Sequence, residues 1–116
     1  MAMRVLSGLL ITRGVPRGSA TIQFIPHHRV RGDGELAKTI EQGPERQFDS
    51  KPCRMVALRE IKAADEYKRS NFITYEHVFR IDTTGTRDDL TITWDVRGDT
   101  HIEEISYMVI GEVPDE

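Results

Sequence analysis

Apolar and polar residues alternate most regularly in the segment Leu90-Thr91-Ile92-Thr93-Trp94-Asp95-Val96. Because successive side chains of a strand point to opposite faces, this period of two places the four apolar residues on one face and the three polar residues on the other. The pattern predicts a strand with one buried face and one solvent-exposed face. We expect Trp94 to lie in the core, with its indole N–H donating to one acceptor.

Similar patterns predict several antiparallel strands joined by turns. The segments Thr83–Asp88 and Arg97-Gly98-Asp99-Thr100 have the glycine and aspartate content of turns. The last strand needs a β-bulge at Glu103-Glu104, because Ile102 and Ile105 are three residues apart and otherwise face opposite sides. The other predicted strands are Ala20–Ile25, Cys53–Leu58, Thr74–Asp82 and Ile102–Val113.

Other segments lack this regularity. Residues 1–19 carry glycines and a proline that interrupt regular elements, so we predict an extended N-terminal arm with at most a short strand at Leu9–Thr12. For residues 27–51 we predict a projecting hairpin or loop with a role in binding, in which Glu35–Glu41 has the composition of one or two helical turns. A second helix-like segment, Ala63–Arg69, follows the Cys53–Leu58 strand.

The expected fold class is therefore mainly β: a small antiparallel β-barrel or sandwich with one short helical segment, an extended N-terminal arm and a projecting loop. A chain of 116 residues is long enough for one domain. We assign residues 1–19 to the arm and residues 20–116 to a single β-barrel domain that contains the long loop 27–51. A domain of this size leaves little volume for a deep substrate cavity beside its core.

Charge is unevenly distributed along the chain, although the net charge is only −3. Up to Gly32 there are five arginines and no acid, whereas from Met55 onward there are fourteen acids and seven bases. Such polarity is typical of nucleic-acid contact by a basic arm or of head-to-tail packing between subunits, and the modest net charge favours subunit packing or simple solvation. The arm residues expected to pack against a neighbouring subunit are Arg4, Arg13 and Arg17.

The candidate reactive motifs are better explained as structural features. Two Arg-Gly-Asp triplets, at residues 31–33 and 97–99, match the tripeptide motif that integrins bind, but glycine followed by aspartate is common in turns. His27-His28 point to opposite sides of an extended chain, which disfavours a shared metal ion. The acid pairs at 65–66, 88–89 and 103–104 fit solvated faces or turns. We therefore expect no catalytic site, no metal and no cofactor.

The chain has a single cysteine and no long apolar run. Cys53 permits no internal disulfide, and its place at the start of a predicted strand fits a small core residue. The longest apolar run of the N-terminal segment, Leu9-Leu10-Ile11, is too short for a signal peptide or a membrane span. These features are expected of a protein that assembles in the cytosol and has no membrane partner.

The order of these elements, together with short sequence matches, resembles the phage head–tail joining family. These are the small head-completion, stopper or head-closure proteins of long-tailed phages. The resemblance runs from about Thr21 to Ile110. Its matching words are Thr21-Ile22-Gln23-Phe24, Asp33-Gly34, Val56-Ala57-Leu58 followed by Ala64-Asp65-Glu66-Tyr67, then Tyr75–Ile81, Leu90–Asp95 and Ile102–Ile105.

This resemblance implies a structural protein of the virion, not an enzyme. It implies a homo-oligomeric ring below the portal and its adaptor, which closes the DNA channel and provides the tail attachment surface. The implied partners are other copies of the chain, the portal and adaptor proteins, the tail terminator or other tail proteins and, transiently, the genomic DNA in the channel. The implied location is the head–tail interface of the virion, after assembly in the host cytoplasm.

By the same resemblance, the segment Leu58–Asn71 and the loop His27–Lys51 are expected to face the channel lumen or to contact an adjacent ring. If the loop plugs the channel, it must move before DNA exits. The residues expected to make lumen or inter-ring contacts are Arg31, Asp33, Glu35, Lys38, Glu41, Arg59, Lys62, Asp65, Glu66, Lys68 and Arg69.

A small OB-like nucleic-acid-binding barrel is the leading alternative. It would use the basic arm for phosphates and Phe24, Phe72 or Tyr75 as stacking platforms. Against it, the aromatic residues are few, most of them fall on the predicted inward face, and the sequence pI is about 5.8. A small enzyme is a third alternative, which would require a convergent polar pocket.

Overall fold

A computed structural model of the chain describes residues 2–25, 27–63, 79–96 and 100–114. These residues form two four-stranded antiparallel sheets, which confirms the prediction of a mainly β, sandwich-like fold. Sheet A has the strand order β4-β1-β8-β5, and sheet B has the order β3-β2-β7-β6. The strands are β1 (Ala2–Ile11), β2 (Arg17–Gln23), β3 (Arg29–Gly32), β4 (Glu35–Gln42), β5 (Cys53–Ala63), β6 (Phe79–Gly85), β7 (Asp89–Val96) and β8 (Thr100–Val113).

The two sheets enclose one hydrophobic core. The apolar residues of β7 all point into it, as their alternation predicts, and Trp94 is only 3% exposed. The Trp94 indole Nε1 donates to the carbonyl oxygen of Val15 at 2.8 Å, so the expected hydrogen-bond partner is present. Val15 lies in the connection that carries the chain from sheet A to sheet B. The tryptophan therefore ties that crossing to the core.

β8 contains the predicted bulge. Opposite β5, Glu104 pairs with Glu60 and Ile102 pairs with Ile61, which leaves Glu103 as the extra residue. Ile102 and Ile105 are both fully buried as a result. The bulge predicted at Glu103-Glu104 is thus confirmed.

The N-terminal segment is not an arm. β1 lies in the interior of sheet A, between β4 and β8, and its residues Leu6 and Leu10 are fully buried. The prediction of an extended arm over residues 1–19 is wrong, because its glycines are accommodated within strands. Gly8 pairs with Tyr107, and a Cβ added at Gly8 would lie 2.6 Å from the Tyr107 hydroxyl oxygen. β1 is therefore part of the sandwich and contributes Leu6 and Leu10 to its core.

Residues 27–51 are not a projecting loop either. They contain β3 at the edge of sheet B and β4 at the edge of sheet A. Between these strands Gly32 and Gly34 have positive φ angles of 99° and 83°, which lets the chain turn from one sheet to the other. The helical turns predicted at Glu35–Glu41 are wrong, because pairing with β1 satisfies the backbone of that segment and overrides its helix propensity.

The remainder of the predicted loop packs across one end of the core. Phe48 is buried, and its ring meets the Phe24 ring edge-on with centroids 5.7 Å apart. The backbone N–H of Asp49 donates to the carbonyl oxygen of Glu112 at 2.9 Å. Residues 43–52 therefore cover the end of the sandwich and do not extend away from it.

Several predicted boundaries shift. β6 extends to Gly85, so the turn predicted at Thr83–Asp88 is shorter, and the Thr86 N–H donates to the Asp89 carboxylate at 3.1 Å. Ala63 is the last residue of β5. The rest of the predicted helical segment, the first part of the strand predicted from Thr74 and most of the turn at 97–100 lie outside the described residues.

Candidate assembly surface

Three consecutive rows of cross-strand partners on the outer side of sheet A contain no charged residue. Leu6, Leu10 and Tyr107 point into the core, so the residues that alternate with them in β1 and β8 point outward. We call these rows the apolar face. In the order β4, β1, β8, β5 they are Gln42, Val5, Ile110, Cys53, then Ile40, Ser7, Met108, Met55, and then Ala37, Leu9, Ser106, Ala57.

Large apolar side chains on this side of sheet A are open to solvent. Ile40 and Met55 are each 54% exposed, and Met108 is 39% exposed. Met3, in the next row after that of Val5 on the same side of β1, is 47% exposed. An open groove of about 800 Å³ runs over the face, and Lys38 and Arg59 line it together with the apolar residues. Contiguous exposed apolar surface on a soluble domain is typical of an interaction site.

Carboxylates bound the apolar face at both ends. Glu35 and Glu104 lie on either side of Ile11 in the adjacent strands, and Glu112 lies opposite Met3. The face therefore has an uncharged centre and a rim that carries both acids and bases. This arrangement matches protein–protein interfaces, in which charge is depleted at the core and kept at the rim.

The outer side of sheet B has the opposite character. Its rows of cross-strand partners consist of threonine, serine, glutamine and charged residues. In the order β3, β2, β7, β6 they include Arg31, Thr21, Thr91, Thr84, then Ser19, Thr93, Asp82, and then Arg17, Asp95, Arg80. Threonine hydroxyls of adjacent strands contact each other there, as at Thr21 and Thr91, 2.9 Å apart. Only one side of the sandwich is thus apolar.

The four edge strands carry features that disfavour pairing with another strand. β3 has only four residues, and β4 is interrupted by a register shift near Lys38, whose φ is 53°. β5 has two further register shifts around Glu60, and its Arg54 side chain points inward toward Gly85 of the other sheet. Arg80 and Asp82 place an ion pair of 2.7 Å on β6. Bulges, short edges and inward charges are the usual protections of exposed edges.

A buried polar cluster lies at the end of the core covered by residues 43–52. The Arg4 guanidinium is only 1% exposed and donates to the carbonyl oxygen of Arg46 at 2.9 Å. Its other terminal nitrogen lies 3.6 Å from the Glu41 carboxylate, and its carbon lies 5.8 Å from the centre of the Phe48 ring. Arg4 therefore connects β1 to β4 and to the covering loop.

Glu41 links this cluster to the start of β3. Its carboxylate accepts a hydrogen bond from the His28 backbone N–H at 3.1 Å and lies 3.4 Å from the His27 ring. Burial alone would raise the pKa of Glu41, but that hydrogen bond and the nearby His28, His27 and Arg4 charges lower it below its ordinary value. Glu41 is thus held as the carboxylate at neutral pH.

His28 and Tyr107 are the two buried polar rings beside this cluster. Their centroids are 6.1 Å apart, and neither His28 ring nitrogen nor the Tyr107 hydroxyl has a hydrogen-bond partner among the described residues. Burial lowers the pKa of His28, with Glu41 opposing the shift and Arg4 and His27 adding to it. Burial and the Glu41 charge raise the pKa of Tyr107. Both rings are therefore neutral at pH 7.

The arginines predicted to form a subunit-packing arm make contacts within the chain. Arg4 is buried as described, Arg13 pairs with Glu35, and the Arg17 Nε lies 3.0 Å from the Asp95 carboxylate. These arginines do not belong to a free arm, since Arg4 lies in β1 and Arg17 in β2, and their packing against a neighbouring subunit stays a prediction.

The residues predicted to face a lumen or a neighbouring ring are dispersed. Arg31 is exposed on the outer side of sheet B, and the Asp33 carboxylate accepts from the Ser19 N–H at 2.9 Å in the turn between the sheets. Lys38 and Arg59 both line the groove on the apolar face. Lys62 lies in β5. The other predicted contact residues, Asp65, Glu66, Lys68 and Arg69, lie outside the described part of the chain.

The remaining candidate groups lie apart from one another. Cys53 is exposed on the apolar face, so the prediction that it is a core residue is wrong. In the described parts of the chain, no group of three His, Cys, Asp or Glu side chains is placed to hold a metal ion. No described helix is both long and apolar enough to cross a membrane. Phe24 is fully buried, which removes it as a stacking platform for a nucleic-acid base.

Comparison with known protein families, with curated proteins and with solved structures finds no match.

Sequence reasoning missed the apolar face, although a signal for it was present. β1 and the C-terminal half of β8 carry apolar residues at positions of both parities, as in Met3-Arg4-Val5-Leu6 and Tyr107-Met108-Val109-Ile110. Strands that are apolar on both sides are typical of sheets covered on both faces.

Proposed function

We propose that this protein is a structural subunit of a phage head–tail connector, which forms a ring below the portal and adaptor, closes the DNA channel and provides the tail attachment surface. The observation that carries the proposal is the apolar face of sheet A. Its side chains are held in a hydrogen-bonded sheet, so the surface is preformed and loses little conformational entropy on binding. A preformed, uncharged surface with a charged rim fits a component of a larger assembly.

The order of the strands gives a second line of support. Four of the short segments that resemble the head–tail joining family lie in observed strands. They are Val56-Ala57-Leu58 in β5, Phe79-Arg80-Ile81 in β6, Leu90–Asp95 in β7 and Ile102–Ile105 at the bulge of β8. The family resemblance implies an antiparallel β-barrel, and a sandwich of two antiparallel sheets is compatible with it. The fold class and the strand order are thus consistent with the proposed function.

Electron microscopy of the purified protein mixed with the portal and adaptor proteins of the same phage tests this proposal. We expect additional ring-shaped density below the adaptor. Replacing Met55 and Met108 together by lysine puts two charges at the centre of the apolar face and is expected to abolish that density.

The matched control is Thr84→Lys with Thr93→Lys, which adds the same charge to exposed positions on the outer side of sheet B. This control is expected to retain the additional density. A wild-type protein that adds no density to the portal and adaptor complex would contradict the proposed function.

A further inference from the structure

We infer that, in the free protein, the apolar face is covered by the same face of a second copy of this chain, in a two-fold pair with sheet A packed on sheet A. The inference rests on the part of the proposed function that makes the apolar face an assembly surface. It adds the identity of the first partner and the geometry of the contact.

The positions of the exposed apolar residues favour a second copy of the chain as the partner that covers the apolar face. The large exposed apolar residues of the described chain are Met3, Ile25, Ile40, Met55 and Met108, and all except Ile25 belong to or adjoin the apolar face. The outer side of sheet B offers threonines and charged groups, whose burial against apolar side chains would cost free energy. Among the surfaces that the described residues form, the one that complements the apolar face is therefore the apolar face itself, which gives an isologous contact.

The charges at the rim are compatible with such a pair. Each copy brings acids at the ends of the face, Glu35, Glu104 and Glu112, and bases, Lys38 and Arg59, beside the groove. Two copies together thus carry both signs around an uncharged centre, whereas a rim of one sign would repel itself. The features that protect the edge strands favour packing of faces over continuation of a sheet between copies.

The size of the face predicts a reversible pair. Four strands about 4.8 Å apart give a width of roughly 19 Å, and the five residues of β1 from Val5 to Leu9 at about 3.4 Å each give a length of roughly 17 Å. The projected area of roughly 320 Å² per copy is below the typical value of about 800 Å² per partner for stable complexes. We therefore expect a dissociation constant on the order of micromolar.

A two-fold pair closes on itself and cannot grow into a ring through this face alone. The pair therefore keeps the apolar surface out of water before assembly and holds free subunits apart. Ring neighbours or the adaptor have to displace the second copy from the face. A weak pair suits this exchange, because a tight one would compete with the connector.

Sedimentation velocity of the free chain, without portal or adaptor, tests the inference. We expect a dimer at about 100 µM that dissociates on dilution to about 1 µM. Met55→Lys with Met108→Lys is expected to raise the dissociation constant at least about 100-fold, since each copy would bury two unpaired charges. Thr84→Lys with Thr93→Lys is expected to change it less than about threefold.

Reaction of Cys53 with a maleimide gives a second measurement that needs no variant. Cys53 is the only cysteine and lies in a row of the apolar face, so its reaction rate should fall as the chain is concentrated through the dimer range. This measurement remains informative if the double lysine variant does not fold.

Three results would overturn the inference: a wild-type chain that stays monomeric at about 100 µM, a free chain that forms ring-sized oligomers, or a dimer unaffected by the lysines at Met55 and Met108. A monomeric free chain that still adds density to the portal and adaptor would overturn only the two-fold pair. A dimer that never binds that complex would overturn only the connector function.

Discussion

Arg4 is the charged side chain on which the covered end of the core depends. Its guanidinium is buried, bonds to the Arg46 carbonyl oxygen and faces the Glu41 carboxylate. We expect Arg4→Ala to lower the free energy of unfolding by about 3 kcal/mol, because it leaves a cavity and releases residues 43–52. Glu41→Gln is the matched change on the partner, and we expect it to cost less than about 1 kcal/mol, since Glu41 is partly exposed and Arg4 keeps its carbonyl acceptor.

Urea unfolding followed by circular dichroism measures both values. Equal losses for the two variants would contradict this account, because they would place the stabilisation in the ion pair and not in the buried anchor.

His28 makes the stability of the fold depend on pH. The pKa of His28 in the folded chain is lowered below the ordinary 6.5, so the unfolded chain binds a proton first as the pH falls. Stability is therefore full above about pH 7 and declines as the pH drops through 6.5, by at most about 1.4 kcal/mol per pH unit. The lowered pKa of Glu41 also costs stability in acid, but only below its ordinary value of 4.5.

Urea unfolding at pH 7.5 and at about pH 5.5 tests this prediction. We expect His28→Leu to remove most of the difference between the two pH values, since no buried imidazole remains to be protonated. The neighbouring change His27→Leu is the comparison: the His27 ring is 62% exposed and is the smallest contributor to the lowered pKa of His28, so this variant is expected to retain most of the pH dependence. A pH dependence that survives His28→Leu and disappears with His27→Leu would contradict the assignment.

At the scale of elements, the position of β1 between β4 and β8 makes the N-terminal residues part of the fold. Leu6 and Ser7 are adjacent in β1, and Leu6 points into the core while Ser7 lies on the apolar face. We expect Leu6→Ala to lower the free energy of unfolding by about 2 to 4 kcal/mol and Ser7→Ala to change it by less than about 0.5 kcal/mol.

A free arm would tolerate both changes equally. Thermal or urea unfolding of the two variants at a concentration where the chain is monomeric separates the two cases. Near-identical unfolding midpoints would contradict the central position of β1.

The local sequence pattern predicted most of β8 but little of β1. The spacing of Ile102 and Ile105 required a bulge, and the bulge is present at Glu103. The N-terminal strand has no period of two, because both of its sides are apolar and Gly8 interrupts the run. Its identity depends on pairing with residues about a hundred positions away, such as Gly8 with Tyr107. Local pattern carries no information about such a partner.

At the scale of the whole molecule, folding brings part of the basic N-terminal stretch next to acids from later in the chain. Arg13 and Arg17, from the basic N-terminal stretch, pair with Glu35 and Asp95 from later in the chain. What the folded molecule separates instead is polarity, with an apolar outer side on sheet A and a polar outer side on sheet B. Head-to-tail packing through charge stays a prediction, and the apolar face gives a second surface through which we propose that subunits pack.

The sequence by itself determined the β class, the strands β7 and β8, the bulge and the buried Trp94. Each of these follows from the alternation of neighbouring side chains, which is a local property. Tertiary structure alone decided that residues 2–11 are a central strand, that residues 27–51 cross between the sheets, and that Cys53, Met55 and Met108 share an exposed surface. These features depend on register between distant strands, because register determines which residues become neighbours on one side of a sheet.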